Sequence, residues 1–241
     1  MRLDIRNRTL FRYDAPVAES HNEVRACPVS DHRQNLVAYR LSVSPASQAL
    51  AYSDYWGNRV DAFGVREPHL SLEIVAEAAV DTFEAPPRPG PCAWEALAEP
   101  WFRDRHHEYL ERTPHVEWGS EVEAAGREAV AADDVVATIV GVHDLVRERL
   151  GYEAGSTHIG IAVEDVLSAG TGVCQDFAHL AVALCRSVGV PARYVSGYLF
   201  TSSDRTGEDV VGDIVHVQTH AWFEAAVPGW GWLALDPANG R

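Results

Sequence analysis

The chain has 241 residues, 46% of them apolar and 23% charged, a balance that excludes a disordered or low-complexity polypeptide. Its four cysteines are too few for a disulfide scaffold, and no apolar run approaches the ~18 residues of a membrane span. With 35 acidic against 20 basic residues, the net charge of −15 disfavours nucleic acid and anionic membrane surfaces as partners.

The N-terminus, Met-Arg-Leu-Asp-Ile-Arg, lacks the apolar segment of a signal peptide, so a reducing cytoplasm is the expected location. Residues 1–85 read as a β-rich domain. Leu70, Leu72, Ile74, Ala76 and Ala78 alternate at period two, the pattern of a half-buried strand. Leu3, Ile5 and Phe11 give a weaker strand, and two more are expected near 34–43 and 59–65. Asp54-Tyr55-Trp56-Gly57-Asn58-Arg59-Val60 reads as a hairpin, with Gly57-Asn58 taking positive φ. Short strands with polar turns predict a small antiparallel sandwich.

Between Glu84 and Cys92 there are four prolines, which neither a strand nor a helix tolerates. The domain boundary falls here, leaving 86–241 as a helical segment followed by a core. Asp133-Asp134 is placed to cap a helix carrying Val135, Ile139, Val142, Leu145, Val146 and Leu150, ended by Gly151. His106, His107 and His115 have no metal-ligand spacing.

After Gly170-Thr171-Gly172 comes a run apolar on most faces: Phe177, Ala178, Leu180, Ala181, Leu184, Cys185 and Val188. Such a helix is buried in a core, and Gly189-Val190-Pro191 stops it. Residues 192–200 read as a strand, 201–213 as a loop or ribbon, and 215–225 and 231–236 as two further strands.

Cys174 stands where the glycine-rich turn enters the buried helix. Free N–H groups and positive partial charge at that end favour a thiolate and an oxyanion. Cys185 is three turns deeper in the apolar run and reads as packing, as do Cys27 and Cys92. Along the last hairpin, His220, Trp222 and Glu224 share one face, and Trp232, Ala234 and Asp236 share another. A loop centred on Pro228 sets His220 directly opposite Asp236, close enough for the carboxylate to hold the imidazole. The plainer reading of Asp236 is a turn-former before Pro237. A thiol, a base and an orienter in the order Cys, His, Asp are the parts of an activated nucleophile.

The stretches Gly172-Val173-Cys174-Gln175-Asp176-Phe177-Ala178-His179-Leu180 and Gly189-Val190-Pro191-Ala192-Arg193-Tyr194-Val195-Ser196-Gly197-Tyr198 resemble the transglutaminase-like superfamily. His220-Ala221-Trp222 and Gly231-Trp232 through Asp236-Pro237 are similar to its later motifs, and Asp54-Tyr55-Trp56-Gly57-Asn58 to its bacterial N-terminal β domain. The nearest likeness is to the bacterial branch of predicted cysteine proteases. The resemblance implies an α+β, papain-like core in which the Cys helix packs on an antiparallel sheet. It implies Cys174 as nucleophile, His220 as base and Asp236 as orienter. Tyr152, Asp176, His179 and Trp222 are further candidates for the pocket or for supporting contacts; ordinary packing is the alternative for each. No tryptophan aligns with the oxyanion-stabilising Trp of animal transglutaminases.

The implied activity is hydrolysis of a peptide or protein amide through a thioester. Acyl transfer to an amine, a non-catalytic scaffold and a metalloprotein using Cys174, His220 and Asp236 stay open as alternatives. The hydrolytic chemistry uses side chains alone, so no cofactor or metal is expected.

Overall fold

A computed structural model describes residues 1–158, 160–200, 210–211, 214–215 and 219–240. The chain is mixed α and β, and divides into two compact units, Met1–Pro87 and Arg88–Arg241.

The first unit holds six strands: β1 (Arg2–Val17), β2 (Ser20–Val24), β3 (Gln34–Ser44), β4 (Leu50–Ser53), β5 (Arg59–Val65) and β6 (His69–Thr82). They form two antiparallel three-stranded sheets, ordered β1-β6-β3 and β2-β5-β4. Phe63 and Val65 of one sheet and Leu72 and Ile74 of the other bury together, as alternation at period two requires. Leu70 departs from that pattern and is 57% exposed, while His69 is buried. The break coincides with the β1–β6 register shift between Arg12 and Val17, where the pairing at this end of β6 becomes irregular. The hairpin at Asp54–Asn58 forms, but only Gly57 takes positive φ. Asn58 instead bonds the Asp54 carboxylate through its side chain and its backbone N–H.

The second unit opens with α1 (Pro100–His106), α2 (Ser120–Glu128) and α3 (Val135–Arg149). Asp134 caps α3 by accepting the Val136 N–H at 2.9 Å. The helix stops at Leu150, because Gly151 already belongs to a short strand, β7 (Gly151–Tyr152). Then follow α4 (Val163–Ala169), β8 (Thr171–Gly172), α5 (Cys174–Ser187) and β9 (Ala192–Tyr198). A two-residue ribbon pairs β10 (Val210–Val211) with β11 (Ile214–Val215), and β12 (Thr219–Val227) and β13 (Gly231–Leu235) complete the chain. The rest of the expected 201–213 loop, and 216–218 of the expected next strand, lie outside the described residues.

The core follows from α5. It packs on β9 and β12 of the antiparallel sheet β13-β12-β9, and on α2, α3 and α4 elsewhere. Being covered on most sides, it is apolar on most sides: Leu180, Ala181, Leu184 and Cys185 are fully or almost fully buried. Phe223, Ala225, Leu233 and Leu235 supply the sheet's half of that core.

Candidate active site

The first residue of α5 is Cys174, so its sulfur lies at the end where backbone N–H groups are free and the helix dipole is positive. Asp176 fixes that end. It is 1% exposed, and its Oδ2 accepts the Val173 N–H at 2.8 Å and the Thr157 hydroxyl. This is the side-chain half of a capping box, reaching back from the third helical residue. Gly172 is there for space: a Cβ would lie 2.8 Å from Asp176 Cβ. Tyr152 pairs with Gly172 in the parallel β7–β8 contact, which brings the chain after α3 alongside the Cys turn.

His220 enters from β12, directly opposite Gly197 of β9. The register of the last hairpin differs from the expected one. Phe223 pairs with Leu235 and Val227 with Gly231, so the loop centres on Gly229 rather than Pro228. A shift by two residues along one strand keeps every side chain on its face. Asp236 therefore stays on the His220 face as a diagonal neighbour just past the end of β13, instead of a directly opposed one. His220 Nε2 meets Asp236 Oδ2 at 2.8 Å. The turn-forming reading of Asp236 is also realised. Its other oxygen, Oδ1, accepts the backbone N–H groups of Ala238 and Asn239 at 3.1 and 3.3 Å.

With Nε2 engaged by Asp236, Nδ1 is the nitrogen left to face the sulfur, and the His220 and Cys174 side chains influence each other's ionisation. The His220 imidazole is the main influence holding the Cys174 thiol below its ordinary range, outweighing burial; the Ala221 and Gln175 backbone N–H groups add to it. The bond with Asp236, then that with Cys174, pushes His220 up to about 9. Burial opposes ionisation of Asp236, but donors from His220 and Asn239 outweigh it and hold the carboxyl below its usual value. All three directions favour one charge state: thiolate, imidazolium, carboxylate. The contrast is Cys185, fully buried and pushed up to about 12 by that burial. Cys27 and Cys92 are raised too, again mainly by burial.

The remaining candidates surround this group without joining it. Trp222 stacks on His220 with centroids 6.3 Å apart and 24° between planes. It lies over Gly197, where a Cβ would stand 2.6 Å from the indole. His179 lies between His115, stacked at 5.6 Å, and Tyr194, tilted against it at 4.7 Å; burial, then the charge of His115, pushes it down to about 4. Tyr152 is 60% exposed. With Arg147, Leu150, Phe177, Pro237 and Ala238 it lines a shallow depression. Sequence reasoning missed Asn239, Gly197 and the Ala221 N–H. The Asp-Pro-Ala-Asn turn was a usable signal for Asn239; for the Ala221 N–H there was none, because it depends on where a neighbouring strand ends.

Comparison with known proteins gives the family and the fold. Residues 124–237 match the family model of the transglutaminase-like superfamily, and residues 3–81 that of the bacterial transglutaminase-like N-terminal region. An uncharacterized protein of Mycobacterium leprae is 35% identical over 238 residues, spanning 99% of this chain and 83% of that protein. An uncharacterized protein of Mycobacterium tuberculosis is 32% identical over 249 residues, 99% of this chain and 79% of the relative. A protein-glutamine gamma-glutamyltransferase of Pseudomonas aeruginosa is 35% identical over 68 residues, 28% of this chain and 10% of that enzyme. The crystal structure of a candidate cysteine protease from Cytophaga hutchinsonii has the same fold, with a TM-score of 0.76 at 22% identity, over 99% of this chain and 76% of that one.

Proposed function

The chain belongs to the transglutaminase-like superfamily, and from that premise we propose that it is a thiol-dependent amide hydrolase working through Cys174, His220 and Asp236. The observation that carries the reading is the His220–Asp236 pair, bonded at 2.8 Å, together with Cys174 at the N-terminus of a buried helix and its thiol held below the ordinary range chiefly by His220.

The reaction follows from those contacts. The Cys174 thiolate attacks the amide carbon, forming a C–S bond and a tetrahedral oxyanion. Backbone N–H groups at the start of α5 lie on the side where that charge develops. As the oxyanion collapses, the C–N bond breaks and Nδ1 of His220 gives its proton to the leaving amine. Water then attacks the thioester. His220 takes a proton from it, the C–S bond breaks, and a carboxylic acid leaves with the thiolate restored. Asp236 stays ionised throughout, holding Nε2–H and so the productive tautomer.

A second reading replaces water by an amine and yields a new amide. The local likeness to a gamma-glutamyltransferase favours it. The test is to acylate the protein with an activated thiol-reactive ester, locate the adduct by peptide mapping, and follow its decay with and without added alkylamine. Hydrolysis predicts an adduct on Cys174 whose decay is independent of amine. Decay that accelerates with amine, with the amide as product, selects transfer. An adduct that survives Cys174→Ala overturns both.

A further inference from the structure

Asp236 Oδ2 has two donors. Besides His220 Nε2 at 2.8 Å, it accepts the side-chain amide of Asn239, Nδ2, at 2.9 Å. The same Nδ2 lies 3.1 Å from His220 Nε2, so three polar atoms close a triangle. With a proton on Nε2, both nitrogens donate and Oδ2 is their shared acceptor. The reversed amide would set its oxygen against the carboxylate oxygen, two acceptors in contact, so the network selects the orientation. Asn239 is itself exposed, whereas the side chains of His220 and Asp236 are only 12% and 11% exposed. Asn239 therefore stands on the solvent side of the pair.

We propose that Asn239 is a positioning residue for His220: its amide clamps the Asp236 oxygen that holds the imidazole and closes that edge of the ring to water. This rests on the reading of His220 as the base that serves Cys174. Oδ1 of Asp236 is anchored by backbone N–H groups that a side-chain change leaves in place, so the effect of Asn239 falls on Oδ2 and Nε2. Once water reaches that contact, the attraction between carboxylate and imidazolium is screened. Among the described residues, the titratable groups facing His220 are Cys174 from α5 and Asp236 from the turn after β13. Tyr194 on β9 faces Cys174.

The experiment is an NMR titration of the His220 ring in the wild type, in Asn239→Ala and in Asn239→Leu. Leu keeps the approximate size and removes the donor. The wild type should titrate at about 9. Asn239→Ala should titrate measurably lower, and Asn239→Leu should also depart from the wild type. Lack of alkylation at Cys185 verifies that each variant is folded. Superposition of either variant on the wild-type curve overturns the proposal, since bulk alone, or neither bulk nor donor, would then set the pair. A wild-type His220 that titrates near its ordinary value overturns the catalytic reading itself, a separate outcome.

Discussion

At Cys174 two effects compete, and their balance defines the residue. Burial favours the neutral thiol, as it does at Cys185, but the imidazole and two backbone N–H groups outweigh it. The pH dependence follows with a definite sign. Below its lowered range the thiol takes back its proton and nucleophilicity is lost. Above about 9 His220 loses the proton that the leaving amine needs. Acylation should thus follow a bell whose lower limb lies below the ordinary thiol value and whose upper limb lies near 9; a single limb at the ordinary thiol value contradicts this. Asp236→Asn should leave the fold intact and lower acylation by about 10²–10⁴-fold, because the amide no longer stabilises the imidazolium. Retained activity in stopped-flow acylation would remove Asp236 from the mechanism. Much of this was legible in the sequence. His220 and Asp236 both carry even numbers, so any hairpin turn centred on a single residue places them on one face. Their exact register was not legible, since it depends on which residue of Pro228-Gly229-Trp230 centres the turn, and Gly229 takes the positive φ.

Two close approaches tune how the elements meet. Trp222 lies on Gly197, opposite His220. In Gly197→Ala a methyl group would push the indole toward the imidazole, and overpacking of this kind costs about 1–3 kcal/mol. The expected outcome is a lower Tm together with a fall in acylation of up to about 10²-fold from the misplaced ring; unchanged acylation would mean that Trp222 does not hold His220 in place. His179 offers a test through stability. Its folded pKa of about 4 lies below its ordinary 6.5. The unfolded chain therefore binds more protons between those values. The stability contributed by the neutral ring is full above about 6.5 and is lost as pH falls toward 4. Calorimetry should find that His179→Gln loses less Tm over this range than the wild type, and parallel curves would contradict the assignment. The elements themselves were well predicted where periodicity was strong, as in α3, α5 and β6. The sequence could not predict the parity break at Leu70, which falls where the pairing of β6 with β1 becomes irregular.

For the whole molecule, the division into two units follows from the proline-rich stretch. Residues 83–91 lie outside any helix or strand and are largely exposed. Limited digestion with a protease of broad specificity should cut there first and leave two fragments resistant to further cleavage. First cuts inside β6 or α3 would contradict the division. The net charge of −15 leads to the expectation that anionic partners bind weakly. Charge and composition disfavoured partner classes in the sequence reading but named no substrate, because bulk properties do not report the side chains that line a site.

The central claim is that Cys174 alone among four cysteines is an activated thiolate. Brief substoichiometric alkylation of the folded protein across a pH series, followed by peptide mapping, tests it most directly. Cys174 should alkylate well ahead of Cys27, Cys92 and Cys185, and should do so below the ordinary thiol range. Four thiols reacting slowly and alike would contradict the account and leave the fold as a scaffold without this chemistry.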